Sequence, residues 1–484
     1  MRTVFAKSVH GRRGVWPEQP ARQAGGFIDQ NLLRTEPPAL PQLSELDVVR
    51  HFTRLSRMNF GVDYNFYPLG SCTMKYNPKF TEGLADLPGF TRLHPMIPQL
   101  KAGGQLTQGA LEVIHDLEHL LCEITGMQAY TLQPLAGAHG ELTGVMIIAA
   151  YHRFKGNRKT KVLVPDSAHG TNPATAAIAG YDVVSVASRD GIIDPDALRE
   201  VLDDEVAALM MTCPNTLGLF ESHLREIVDL VHGVDGLLYY DGANLNAVMG
   251  KLRVGDAGFD VMHVNLHKTF GTPHGSGGPG SGPVGVNAKL EPFLPISRVV
   301  RLEDGQYFLD YDHTQSIGYI APFYGNFGVM LKSYAYILRL GREGLIRATE
   351  NAVLAANYLR TRLEDHLEIP YNRICMHEFV ASAAVQASKG ARALDIAKAL
   401  LDRGHYAPTV YFPLIVKECL MFEPTETESK DTLDRFVDDL IEILALVETD
   451  PEAVRTAPVN TPVGRLDEVK AARDMILVDE QGLP

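Results

Sequence analysis

Residues His263 to Gly280 read HVNLHKTFGTPHGSGGPG, an apolar run that ends in a His-Lys pair and opens into a glycine-rich loop. The stretch Phe259 to Leu266 has the β-branched, alternating character of a strand, so Lys268 stands where strand gives way to loop. A lysine packed there loses hydration of its ammonium, its pKa falls, and the free amine becomes a nucleophile towards carbonyls. Upstream, Gly236 to Asn244 is an apolar strand that ends in a single carboxylate, Asp241, suited to a cationic nitrogen partner. Lys161 to Pro165 is another strand, running into His169, whose imidazole can lie flat on an aromatic ring. Gln133 to Glu141 is a small-residue turn leading into the apolar helix pattern Leu142 to Ala150, and a helix N-terminus open to close approach around Gly137 and Ala138 is a phosphate site. Each has an ordinary alternative: a solvated lysine, a helix-capping aspartate, a hydrogen-bonded loop histidine.

These side chains need a frame. From about residue 91 to 330, strands at Lys161 to Pro165, Val183 to Ala187, Val206 to Thr212, Leu237 to Asp241 and Val261 to Leu266 alternate with helical patterns. That alternation predicts an α/β fold with a mostly parallel sheet covered by helices on both faces. Ligands of such sheets bind at the carboxyl ends of the strands, where His169, Asp241 and Lys268 all fall. Residues 1–90 form a Pro-rich arm, of the kind that wraps a partner subunit, with one helical stretch at Leu43 to Arg57. Residues 331–484 carry a long helix from Leu331, short strands and a final helix at Thr432 to Val447, which predicts a smaller C-terminal α/β domain.

Composition narrows the function classes. With 484 residues and 45% hydrophobic content the chain can bury a sizeable core in more than one domain. A net charge of −14 argues against nucleic acid and anionic membrane surfaces as partners. No apolar run reaches the ~18 residues of a membrane span. Arg12-Arg13 is followed by no apolar segment, so a twin-arginine export signal is not expected and the cytoplasm is. Five cysteines without a CxxC pair suit a reduced compartment; Cys72, in the polar loop GSCTMKYNPK, is either a small apolar filler or a residue near the site.

Two patterns beside the lysine are decoys. Gly275 to Gly280 spells GxGxxG, yet Pro279 and Pro283 interrupt the helix a dinucleotide site would need. His263, His267 and His274 resemble metal ligands, but on an extended strand the first two would stand ~13 Å apart, so no metal is expected.

The long segments YPLGSCTMKYNPKF from Tyr67, ITGMQAYTLQPLAGAHGE from Ile124, PDSAHGTNPATAA from Pro165, NTLGLFE from Asn215, LLYYDGANLNA from Leu237 and FYGNFGV from Phe323, together with the lysine segment, resemble the P-protein family of the glycine cleavage system. The resemblance is to subunit 2 of its two-subunit form, a fold-type-I pyridoxal phosphate enzyme. It implies pyridoxal 5'-phosphate covalently bound to Lys268, Asp241 under the pyridine nitrogen, His169 against the ring, and the turn at Gly137 and Ala138 around the phosphate. Thr216, Ala243 and His267 complete the implied cofactor shell. Glycine is the implied substrate, decarboxylated with transfer of the aminomethyl group to the lipoyl arm of the H-protein, in an α2β2 assembly with P-protein subunit 1. The chain departs from the family pattern at Cys213, where an asparagine is usual, at Tyr319, where an arginine follows SIG, and at Met96, where an aromatic is typical. A different pyridoxal phosphate enzyme would keep Lys268 and Asp241 with another substrate; a non-catalytic scaffold subunit would be expected to have lost the lysine.

Overall fold

A computed structural model describes residues 2–15, 29–36, 38–99, 103–168, 170–275 and 278–475. The chain divides into two compact units, one from residues 1–64 and 456–484, the other from residues 65–455.

In the first unit, helix α1 (Glu45–Ser56) starts at Ser44, whose hydroxyl accepts the Asp47 N–H at 3.2 Å. Its apolar residues Leu46, Val49 and Phe52 are exposed.

The second unit is built on a seven-stranded sheet. Its elements in chain order are α2 (Gln108–Thr125), β1 (Ala129–Thr131), α3 (Gly137–Lys155), β2 (Lys161–Pro165), α4 (Thr171–Ile178), β3 (Asp182–Val186), β4 (Val206–Thr212), α5 (Leu224–Gly233), β5 (Leu237–Gly242), β6 (Val261–Val264), the single turn α6 (Leu266–Thr269) and β7 (Val284–Val286). The strand order is β1-β7-β6-β5-β4-β2-β3. The block from β6 to β3 is parallel, whereas β7 and β1 pair antiparallel on one side. This is the α/β architecture expected from the alternation of apolar strands and helices.

Strands β4 and β5 are apolar on both faces because both faces are covered. Leu209, Met211, Leu238 and Tyr240 enter one core, while Ala208, Met210, Leu237 and Tyr239 enter the other, as the two-residue period of a strand requires. Helix α3 lies close over β5: a Cβ on Gly144 would stand 2.5 Å from Cε2 of Tyr239.

Beyond β7, the helix α7 (Phe327–Leu363) is two helical stretches joined at Gly341, whose φ of 61° is non-helical. A three-stranded antiparallel sheet follows, β8 (Phe379–Ser382), β9 (Thr409–Val410) and β10 (Cys419–Phe422), in the order β8-β10-β9, with helices α8 (Ala393–Asp402) and α9 (Lys430–Thr449). The segment before the large sheet is tied to this one: Leu69 bridges Phe422, and the Glu423 N–H donates to the Pro68 carbonyl at 3.1 Å.

The strand expected to run to Leu266 ends at Val264, and residues 266–269 wind into one helical turn. The extended spacing assumed between His263 and His267 therefore does not apply. Among the described residues of 270–283 no helix opens, and the glycine-rich stretch is loop leading to β7. No helix among the described residues is long and apolar enough to cross a membrane.

Candidate active site at the carboxyl ends of the parallel strands

Register brings three polar residues level at the ends of adjacent strands: Thr212 pairs with Asp241, and Asp241 with His263. Thr212 and Asp241 border a cavity of about 180 Å³, with His263 buried behind Asp241. Thr212, Pro214 and Thr216 line it after β4, Asp241, Ala243 and Asn244 after β5, and Asn265 and Lys268 after β6. Gly137, Ala138 and Glu141 of α3 and Thr171 of α4 close another part of the wall, and Ser71, His377 and Glu378 complete it.

The Asp241 carboxylate is 4% exposed. Its Oδ1 accepts the Ala243 N–H at 3.0 Å and lies 3.5 Å from Nε2 of His263, whose Nδ1 is 2.7 Å from the Tyr239 hydroxyl. A buried carboxylate so placed favours a cationic group opposite it. Lys268 is half-buried, and its Nζ donates to the Ser71 carbonyl at 2.7 Å. The N-terminal turn of α3 brings peptide N–H groups that have no partner within the helix to the cavity. Gly137 is required there, since a Cβ would stand 2.6 Å from Oδ1 of Asn265. An amine, a buried carboxylate and a helix N-terminus therefore face one space, a set able to engage an aldehyde, a protonated ring nitrogen and a phosphate respectively.

Of the residues singled out from the sequence, Lys268, Asp241, Gly137, Ala138, Ala243 and Thr216 meet at this cavity. The Thr216 hydroxyl donates to the Ser167 carbonyl at 2.6 Å, anchoring the segment just before position 169. His169 itself lies outside the described residues. His267 is not on the cavity wall; its Nδ1 accepts the Ser281 N–H at 3.3 Å, its ring lies 5.4 Å from that of His274, and burial pushes its pKa down to about 4. In a helical turn successive side chains point about 100° apart, and here Lys268 faces the cavity while His267 is turned towards Ser281. Burial raises the Cys72 thiol to about 11 against the opposing charge of Lys268, so it is not an activated nucleophile.

The sequence pointed to the loop around Cys72 as lying near the site, but singled out none of the residues that build the opposite wall. Ser71 and Thr73 have φ of 60° and 51°, an unfavourable conformation for residues with side chains. Two buried glutamates hold it. Glu378 accepts the Ser71 N–H at 2.7 Å and the Ser71 hydroxyl at 3.0 Å; Glu423 accepts the Thr73 N–H at 2.9 Å, the Thr73 hydroxyl at 2.6 Å and the Asn244 amide at 2.7 Å. Next along the chain, the buried Lys75 is paired with Glu426 at 2.7 Å. Burial, with Glu423 nearby, pushes Glu378 up to about 8; burial, with Asp241 nearby, does the same to Glu141. Glu141 accepts the Thr171 hydroxyl at 2.9 Å. The available signal for the opposite wall was a His-Glu pair inside the otherwise apolar run Cys375 to Val380.

The family departures fall off the wall. Cys213 is buried among core residues, its carbonyl accepting the Tyr240 hydroxyl, and Asn215 braces its own loop by accepting the Leu217 N–H at 3.0 Å. Tyr319 is 51% exposed beside Tyr311, and Met96 is also exposed.

A family model described as glycine cleavage system P-protein matches residues 43–305, and one described as glycine dehydrogenase, C-terminal domain, matches residues 348–460. The chain is 57% identical over 453 residues to a protein of Caldanaerobacter subterraneus subsp. tengcongensis named "Probable glycine dehydrogenase (decarboxylating) subunit 2", covering 93% of this chain and 92% of that one. It is also 57% identical over 477 residues to a protein of the same name from Kosmotoga olearia, covering 97% and 98%. In fold it is similar to a crystal structure of glycine decarboxylase (P-protein) of the glycine cleavage system in inhibitor-bound form, with a TM-score of 0.70 at 20% identity over 86% of this chain and 93% of that one. A glutamate decarboxylase of Lactobacillus brevis gives a TM-score of 0.64 at 13% identity over 88% and 97%. The architecture is that of the fold-type-I pyridoxal phosphate enzymes, and the chain belongs to the glycine cleavage system P-protein family, among the relatives named as its subunit 2.

Proposed function

We propose that the chain is the pyridoxal phosphate-binding subunit of a glycine decarboxylase, which releases CO₂ from glycine and passes the aminomethyl group to the lipoyl arm of an H-protein. The observation that carries this reading is the convergence of Lys268, Asp241 and the N-terminal turn of α3 on one cavity in a chain of this family. The residues suit the cofactor: Gly137 leaves a cradle that a Cβ would fill, and Asn265 Oδ1 and Thr212 Oγ1 are buried at the cavity with no hydrogen-bond partner among the described residues. Bound pyridoxal phosphate supplies an electron sink for the pair released when the bond from Cα to the carboxylate breaks.

The chain's own residues do the rest. Lys268 holds the cofactor covalently through Nζ, and the Ser71 carbonyl, which accepts from that amine, fixes where the amine points. The Asp241 carboxylate keeps a proton on the ring nitrogen. The first turn of α3 would hold the phosphate, and His169 is the residue that the family resemblance would set against the ring. Residues 91–330 bind the cofactor and 331–484 supply the facing wall, joined there by Ser71 from the segment 1–90.

The chain works in the cytoplasm with P-protein subunit 1 as an α2β2 assembly. The exposed apolar side chains of α1 support contact with a companion. The test is exchange of labelled bicarbonate into glycine with lipoylated H-protein, measured with and without subunit 1. Exchange that depends on subunit 1 is expected; no exchange under either condition, with cofactor bound, would reassign the substrate to another amino acid.

A further inference from the structure

On the cavity wall opposite the strand ends, His377 is 2% exposed, and neither of its ring nitrogens has a hydrogen-bond partner among the described residues. Buried polar nitrogens are nearly always paired, and an orphan that faces a cavity points to a ligand group. The imidazole is held firmly. The Met376 N–H donates to the Gly218 carbonyl at 2.8 Å, and Gly218 at φ 77° lets the 215–219 turn press on Glu378, where a Cβ would stand 1.8 Å from the Glu378 carbonyl oxygen. His377, Glu378 and Glu423 bring side-chain atoms within 4.8 Å of one another. Both carboxylates accept hydrogen bonds from the Ser71–Thr73 turn, and His377 Nε2 lies 3.9 Å from Oε1 of Glu378, too far for a hydrogen bond, which leaves the imidazole without one.

We infer that His377 receives the carboxylate of the amino-acid substrate. The inference rests on the proposed reaction, in which the substrate is glycine. Among the described residues that line the cavity there is no arginine, and the basic side chains are Lys268 and His377. Lys268 is committed to the Ser71 carbonyl and to the cofactor. The imidazole is then the basic group left to take an anionic carboxylate.

The chemistry favours a weak holder. When the bond from Cα to the carboxylate breaks, its electron pair stays with Cα and CO₂ departs uncharged. A guanidinium pinned to the carboxylate would stabilise the charge that must disappear, and only interactions that hold through the transition state accelerate the step. Burial and the charge of Lys268 lower the pKa of His377, against the pull of Glu423, so it meets the carboxylate as a neutral N–H donor. Such a donor orients the group while stabilising the anion less than a bidentate guanidinium would.

The test compares glycine with methylamine, which has the amine and lacks the carboxylate. Each is titrated into the assembled, cofactor-loaded enzyme, and the change in cofactor absorbance gives an apparent Kd. For His377→Leu, glycine should bind about tenfold to a hundredfold more weakly, the loss of one hydrogen bond to a charged group, while methylamine is unchanged. His377→Gln, which keeps an N–H donor, should recover part of the loss. Equal weakening of both amines, or no change in either, would overturn the inference. If His377→Leu does not fold, the same comparison is made on His377→Gln, where a glycine affinity equal to wild type together with weaker methylamine binding overturns it. Wild-type enzyme that ignores glycine would instead overturn the substrate reading, and this inference with it.

Discussion

The two sides of the cavity are held by different physics. On the strand-end side, Thr212, Asp241 and Lys268 are delivered by regular elements, and their relative positions follow from strand register and one helical turn. On the other side, Ser71 is positioned by a carboxylate 307 positions away in the chain, and Thr73 by another 350 positions away. The first side shares its support with a whole sheet whose two faces are packed. The second depends on a few buried hydrogen bonds to a turn that its residues do not favour by themselves. The strand-end side should therefore lose chemistry without losing fold when it is cut, and the turn side should lose both.

The largest effect is expected on the strand-end side. Lys268→Ala removes the amine proposed to hold the cofactor and should abolish its visible absorbance band and lower bicarbonate exchange by roughly a thousandfold or more, equivalent to about 4 kcal/mol of barrier. The melting temperature of the cofactor-free protein should barely move, because the lost side chain is half-buried and makes one hydrogen bond, to Ser71. A retained absorbance band would remove Lys268 from its role, and a collapse of the cofactor-free fold would erase the distinction between the two sides.

Glu378→Ala probes the other side. It leaves the Ser71 N–H and hydroxyl without their acceptor beneath a left-handed turn, which should cost about 1–3 kcal/mol in denaturant unfolding and loosen the contact with Lys268. The pH dependence sharpens this. Glu378 and Glu141 are pushed from the ordinary 4.5 up to about 8, so between those values the native chain holds protons that the unfolded chain has released. Their contribution to stability is complete below about pH 4.5 and is lost as the pH rises towards 8. Melting temperatures should fall from pH 5.5 to pH 8, and Glu378→Gln, which cannot ionise, should flatten part of that fall. A wild-type profile that rises over this range would contradict the assigned direction.

The same contrast explains what could be read from the amino-acid sequence. Lys268 and Asp241 were legible because each ends an apolar run of strand length, and parallel sheets place such ends together. The sheet itself was legible for the same reason, with β2 and β4 falling on the expected residues. Lys268 and His267 could not be separated in advance, because the strand was read two residues too far. The chain leaves the sheet at Asn265 and coils, which turns one side chain to the cavity and the other to Ser281. The Ser71–Thr73 wall was illegible for a deeper reason. Its polar residues are paired across the whole chain, and nothing local to Ser71 points to Glu378. The glycine-rich spelling near Lys268, read as a decoy, is loop, and the glycine that leaves room at the cavity wall is Gly137 against Asn265.

The smallest effect tests whether the departures from the family pattern matter. Tyr319 stands where an arginine is usual, yet its side chain is exposed and its ring neighbour is Tyr311, 6.5 Å away between centroids. It is not on the cavity wall, and neither the sheet register nor the glutamate-held turn runs through it. Tyr319→Arg should therefore behave as a surface substitution, changing stability by less than about 0.5 kcal/mol. Glycine affinity, read from the cofactor absorbance titration, should stay within roughly twofold, the ratio to which that energy corresponds. A larger change confined to glycine binding in the assembled enzyme would mean that position 319 completes a cavity in another subunit. The two-sided description of the site would then need a third side, supplied by assembly rather than by this chain's own fold.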